Sequence, residues 1–204
     1  MKNSSQSHPF TGHFIIACVV SLIMIGCKPS APQAGSGDLA GFEIIDIPGS
    51  SVKIAKRKDP SGQAVIEGFV EGEKKTGQWL EYDSNGDVSS IAHYINGLLE
   101  GASFKLSHRG QIDQRADYHL GELDGPWVQY RFGKVIETRN YKNGKLDGTV
   151  KIYDDKTFKV RQETEYKNGL QDGLYRYYDD NGNVSMEYQY KNGEKVSGGI
   201  VKQE

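Results

Sequence analysis

The chain has 204 residues, with 27 acids against 25 bases and a formal charge of −2. No basic run is longer than Lys56–Lys58, so a surface that tracks a phosphate backbone is not expected and nucleic acid is not an expected partner. The two cysteines, Cys18 and Cys27, both lie near the N-terminus, so the body of the chain has to fold by packing and hydrogen bonding without a disulfide.

Residues 1–27 read as an export signal. A polar start is followed by the twelve-residue apolar run Phe14–Ile25. That run is shorter than the ~20 apolar residues that span a bilayer, and it has the length of a signal-peptide core. "MIGC", Met24–Cys27, resembles the bacterial lipoprotein signal, with Met24 standing where leucine is usual. The resemblance implies that Cys27 is the lipid attachment site, that the mature chain begins there, and that it meets the membrane through this anchor. It also implies a bacterial cell-envelope location. Lys28, rather than aspartate, follows the cysteine, which points to the outer membrane. Residues 28–50 are expected to be a flexible linker, because Lys28–Gly41 is rich in Pro, Ala, Gly and Ser. Such a tether of fourteen residues reaches ~20 Å.

Residues 51–201 carry a repeat. Gly77, Gly101, Gly125, Gly148 and Gly173 open units of 24, 24, 23 and 25 residues and a last one like them. Three apolar columns run through the units: Tyr82, Leu106, Tyr130, Tyr153, Tyr178; Val88, Ile112, Val135, Val160, Val184; and Tyr94, Tyr118, Tyr141, Tyr166, Tyr190. Alternation within each unit has period two, the mark of strands with one apolar face. "DSNGD" between Tyr82 and Val88 predicts a tight hairpin turn. "YKNGKLDG" predicts the second turn, which leads into the next unit. The one-residue length changes fall in "RFGK" and "DDKTFK", in loops, which leaves the strands in register. Val52–Gly72 reads as a weaker sixth unit, and Phe42–Ile47 as a spare segment that covers the first edge. The alternation places the three columns on one face and Trp79, Trp127, Tyr175 and Tyr177 on the other.

The pattern Y-x-N-G-x-x-D-G-x-W-x-x-Y-x-x-x-G-x-V resembles the MORN-repeat superfamily. The similarity is to its bacterial variant, found in proteins catalogued as YwqK-family antitoxins. This resemblance implies an all-β fold, an elongated, twisted, single antiparallel sheet of about five to six tandem hairpins. It also implies protein scaffolding or dimerisation rather than catalysis.

No site for chemistry emerges from the residues. His93, His108 and His119 form no ligand set or triad, and there is no nucleophile motif, P-loop or dinucleotide fingerprint. Neither metal nor cofactor is expected. Glu100, Asp124, Asp147 and Asp172 recur just before the unit glycines, a pattern that fits aspartates capping their own turns better than a cation site. Trp79, Trp127, Tyr175 and Tyr177 are the candidate binding residues, set against the alternative that they only stiffen the sheet. The expected function is therefore a lipid-anchored envelope protein that binds or scaffolds an unidentified protein, and is not an enzyme. Self-association through the C-terminal sheet edge is a second expected contact. An immunity or antitoxin-like role at the envelope is the alternative, and an enzyme acting on envelope polymer is the weakest of the three.

Overall fold

The structure, a computed structural model, describes residues 39–202. Residues 1–27, with the Phe14–Ile25 run, Cys18 and Cys27, lie outside the described residues, as does the linker as far as residue 38. No helix occurs among the described residues. The strands are β1 (Glu43–Asp46), β2 (Val52–Lys58), β3 (Ala64–Glu71), β4 (Lys74–Tyr82), β5 (Val88–Ile95) and the stub β6 (Leu98–Leu99). Next come β7 (Gly101–Leu106), β8 (Ile112–His119), β9 (Glu122–Arg131), β10 (Lys134–Lys142) and a second stub, β11 (Lys145–Leu146). The series ends with β12 (Gly148–Tyr153), β13 (Val160–Lys167), β14 (Leu170–Tyr178), β15 (Val184–Lys191) and β16 (Glu194–Ile200). All belong to one antiparallel sheet in sequence order, with β6 and β11 as side pairings on β5 and β10. The pairs β2–β3, β4–β5, β7–β8, β9–β10, β12–β13 and β14–β15 are the six hairpins, including the weak first unit.

Segment 28–50, expected as linker, already contains β1, which pairs with β2 through Ile44↔Ala55 and Ile45↔Ile54. The sheet therefore starts at Glu43. Two apolar isoleucines beside an open edge form a strand because the edge offers their backbone groups partners.

Two kinds of turn alternate. Those between units are two-residue turns, and from the second unit on they have positive φ at both positions, such as Asn143 (48°) and Gly144 (73°). Those within units are longer, with a single left-handed residue. Asp83 Oδ1 accepts from the N–H groups of Asn85 and Asp87, and Gly86 supplies φ 85°. The shortened loop of the third unit becomes a two-residue turn at Phe132–Gly133, while Tyr130 still opposes Val135. Length changes are absorbed in the loops, as the sequence implies.

Beside every within-unit turn the return strand has one extra residue. Glu81 pairs with Ser90 but Tyr82 pairs with Val88, leaving Ser89 unopposed. Val65, Asp113, Ile136, Arg161 and Ser185 are skipped in the same way. Such a bulge shifts parity by one and turns every later side chain to the opposite face. Tyr82 and Val88 do share a face, but the Tyr94 column moves to the other. It joins Trp79, Trp127, Val150, Tyr175 and Tyr177 there. The expected division of faces is corrected accordingly.

That face is the core. Its buried residues include Ala55, Val70, Trp79, Tyr94, Leu99, Ala116, Tyr118, Leu123, Trp127, Tyr141, Val150 and Thr164. The first three column tyrosines each pair with a leucine across the inter-unit turn: Tyr94 with Leu99, Tyr118 with Leu123, Tyr141 with Leu146; Tyr166 and Tyr190 instead oppose Gln171 and Lys195. Burial ends at Thr164.

Candidate binding face

A line of paired residues runs through the middle of the core face. It reads Ala55, Gly68, Trp79, Ala92, then Ser103, Ala116, Trp127, Arg139, then Val150, Thr164, Tyr175, Tyr188, Gly198. In the early units a large ring alternates with a residue small enough for it to lie over. Trp79 lies over Gly68, where an added Cβ would land on its ring. Its Nε1–H donates to the Phe69 carbonyl at 2.9 Å. Phe42 meets it edge-on at 5.8 Å and Tyr94 at 6.2 Å, and the Lys75 ammonium stands 4.1 Å from its ring centre. Burial pulls the Lys75 pKa down and pushes those of Tyr94 and Tyr118 up. Trp127 lies beside Ala116 under the Arg139 guanidinium, 4.6 Å from the ring centre.

Trp79 and Trp127 are 2% and 5% exposed. Both are therefore removed from the candidate binding residues: the bulges bring the Tyr94 column onto their face, which becomes the core and buries them.

Tyr175 and Tyr177 are placed differently. They are half-buried at the C-terminal end of the same face, where the large–small alternation fails. Tyr175 opposes another ring, Tyr188, at 5.9 Å, with Tyr190 at 6.5 Å. The Lys195 ammonium sits 4.2 Å from the centre of the Tyr188 ring. Arg161 Nε donates to the Tyr177 hydroxyl at 2.9 Å, and its Nη1 donates to Asp154 Oδ2 at 2.8 Å. Desolvation, followed by the neighbouring tyrosines, raises the Tyr175 pKa. Tyr188, which the sequence places beside the C-terminal edge, belongs to this cluster, and so do Tyr190, Lys195 and Arg161, which sequence reasoning did not select. The available signal was density: five tyrosines lie between residues 175 and 190. Half-exposed rings beside ammonium and guanidinium groups can hold apolar, aromatic and anionic groups.

The repeated acids do not cap their own turns; each caps the turn of the following unit. Asp124 Oδ2 accepts from Asn143 N–H at 3.0 Å, Asp147 Oδ2 from Asn168 N–H at 3.1 Å and Asp172 Oδ2 from Asn192 N–H at 3.2 Å. Glu100 accepts from Leu120 N–H and pairs with His119 Nδ1 at 2.9 Å, which raises the histidine pKa and lowers the carboxyl's. A backbone series runs alongside, in which Gly121, Gly144 and Gly169 donate to the carbonyls of Leu99, Leu123 and Leu146. These bonds join unit to unit. No group of three His, Cys, Asp or Glu residues suited to a metal occurs among the described residues.

On the opposite face the Tyr82 hydroxyl donates to Glu67 and that of Tyr178 to Glu163, at 2.6 and 2.8 Å. Burial and then the Glu67 bond push the Tyr82 phenol up to about 12. An open groove of about 220 Å³ between Ile54, Glu67, Phe69 and Leu80 lies on this side, away from the tyrosine cluster.

The family model for the MORN repeat variant matches residues 75–96 and 171–192, so these two segments are MORN-variant repeats. The first holds Trp79 and Tyr94; the second holds the tyrosine cluster. No curated protein matches the chain. Among solved structures, it is similar to a mutant of S. aureus TarM in complex with fondaparinux, α-GlcNAc-glycerol and UDP. The identity is 15% and the TM-score 0.34, over 54% of this chain and 21% of that one. The chain thus spans about a fifth of the length of that protein, and the likeness carries no argument about function.

Proposed function

We propose that this chain, with its MORN-variant segments at 75–96 and 171–192, is a lipid-anchored protein of the bacterial envelope that holds another protein on its tyrosine face. It is a binding or scaffolding module, not an enzyme, and Cys27 anchors it to the outer membrane. The signal-like apolar run ending in Gly26-Cys27 supports the anchor. One observation carries the binding role: the core face is sealed as far as Thr164 and then stays half-open over Tyr175, Tyr177, Tyr188 and Tyr190. Half-exposed tyrosines next to cations are the composition of protein contact surfaces.

Two measurements test this reading. Metabolic labelling with a palmitate analogue should mark the wild type and not Cys27→Ser; equal labelling removes the anchor. Crosslinked capture from solubilised envelopes should recover one partner with wild type and lose it with Tyr177→Ala. A partner retained by that variant and by Tyr190→Ala places the contact off this face.

A further inference from the structure

We propose that the C-terminal sheet edge accepts an extended acidic segment bearing an aromatic side chain. The segment adds as a strand beside β16, with its ring over Gly198 against Tyr188. This deepens the binding role proposed above and rests on it.

The chain shows at its other end what this sheet takes. There β1 is added to the edge strand β2. Phe42, one residue before β1, crosses the small residues Ala55 and Gly68 to meet Trp79 at 5.8 Å, under the Arg57 guanidinium at 5.3 Å. The acids of β1 bind lysines of the sheet: Glu43 to Lys58 at 3.1 Å and Asp46 to Lys53 at 2.9 Å. An edge segment here carries one ring for the central line and carboxylates for flanking cations.

The far edge has the matching features without the occupant. The central line ends Tyr175, Tyr188, Gly198. Gly198 has φ 107°, and a Cβ there would strike the backbone of β15, so the floor beside Tyr188 has to stay bare. Lys195 lies over Tyr188 and has no carboxylate partner among the described residues. Val201 N–H donates inward to Ser185 O at 2.9 Å. Antiparallel alternation then turns the N–H and C=O groups of Gly198 and Ile200 outward, free to pair. Within β16 charge guards the edge only at its start, with Glu194 and Lys195, and Lys202 follows its end, while Val196 and Ile200 are 58% and 81% exposed. Strand addition supplies affinity through the backbone and specificity through the side-chain seats.

A labelled peptide with the sequence of residues 40–47, AGFEIIDI, is the probe. In the full-length protein in micelles, the chain's own copy of this segment occupies the first edge, so the free peptide reports on the last. Fluorescence polarisation should show saturable binding. Lys195→Glu, Ile200→Pro and loss of the peptide's phenylalanine should each weaken it about tenfold, the scale of one cation contact, edge bond or ring seat. Lys53→Glu, at the first edge, should leave it unchanged. No saturation at millimolar peptide, or equal affinity after Lys195→Glu and Ile200→Pro, overturns the proposal. So does a dimer through β16 that excludes the peptide. A partner still captured by both edge variants but lost with Tyr177→Ala overturns this inference and leaves the binding role standing.

Discussion

Gly68→Ala places one methyl group where the Trp79 ring now lies. The added Cβ would fall on Cγ, Cδ2 and Cε2 together, so the ring has to withdraw by about an ångström or more to restore contact distance. It has little room, because Phe42, Tyr94 and Lys75 hold its other sides. Withdrawal also breaks the 2.9 Å bond from Nε1–H to the Phe69 carbonyl. Overpacking costs about 1–3 kcal/mol. A buried donor left without its acceptor costs about 1–3 kcal/mol more. A loss of roughly 2–6 kcal/mol lowers the melting temperature of a domain this size by on the order of 10 °C. Thermal unfolding measures it, and a red shift in tryptophan emission should accompany it. Adding Trp79→Leu should recover part of the loss, since the clash disappears with the ring. A fully stable Gly68→Ala with unchanged emission would refute the packing of Trp79 over this glycine.

Tyr141→Ala removes a buried ring from mid-array and should cost about 3–5 kcal/mol in chemical denaturation, whereas half-exposed Tyr82→Ala should cost distinctly less. Asp147→Ala removes the acceptor for Asn168 N–H and should cost about 1 kcal/mol, most of it restored in Asp147→Asn, which keeps an acceptor oxygen. Backbone N–H groups of Thr157 and Lys156, then the Thr157 hydroxyl, hold the Asp154 carboxyl down to about 2. Its contribution is present above the unfolded carboxyl range and is lost as pH falls through about 2, so a pH series of melting temperatures should be flatter for Asp154→Asn on that acid limb.

The repeat, its hairpins and the loop-borne length changes were legible, because each is local. Asn143-Gly144 takes positive φ at both positions, as the turn it forms requires, and an insertion in "DDKTFK" leaves a neighbouring valine in place. The faces were not legible. Counting from Val88 to Tyr94 assumes unbroken alternation, and the structure skips Ser89. Nothing in the identity of Ser89 marks it, and the corresponding residues Asp113, Ile136, Arg161 and Ser185 share no chemistry. The bulge recurs beside within-unit turns of different lengths, so it belongs to the backbone of the twisted hairpin and not to any residue type. That single offset brought the Tyr94 column onto the face of Trp79 and Trp127 and made a supposed binding face the core. The acids were misassigned for a similar reason: an aspartate's own turn is visible in sequence, whereas the turn stacked beside it belongs to the next unit.

The tyrosine cluster follows from the same packing rule that seals the rest of the face. Trp79 can lie flat because Gly68 and Ala92 flank it, and Trp127 has Ala116 beside it. Tyr175 has Thr164 on one side but Tyr188 on the other, and two neighbouring rings cannot both lie flat over the same strand spacing. Tyr188→Ala would restore a small residue next to the large one and let Tyr175 settle over it. Truncating this tyrosine should then cost much less stability than truncating Tyr118, which is buried and has no such compensation. Peptide and partner binding should nevertheless be lost. Paired denaturation curves for Tyr188→Ala and Tyr118→Ala decide the point. Equal destabilisation would show that Tyr188 is a packing residue like the buried rings of this face, and that the open end of this face is not arranged for a partner.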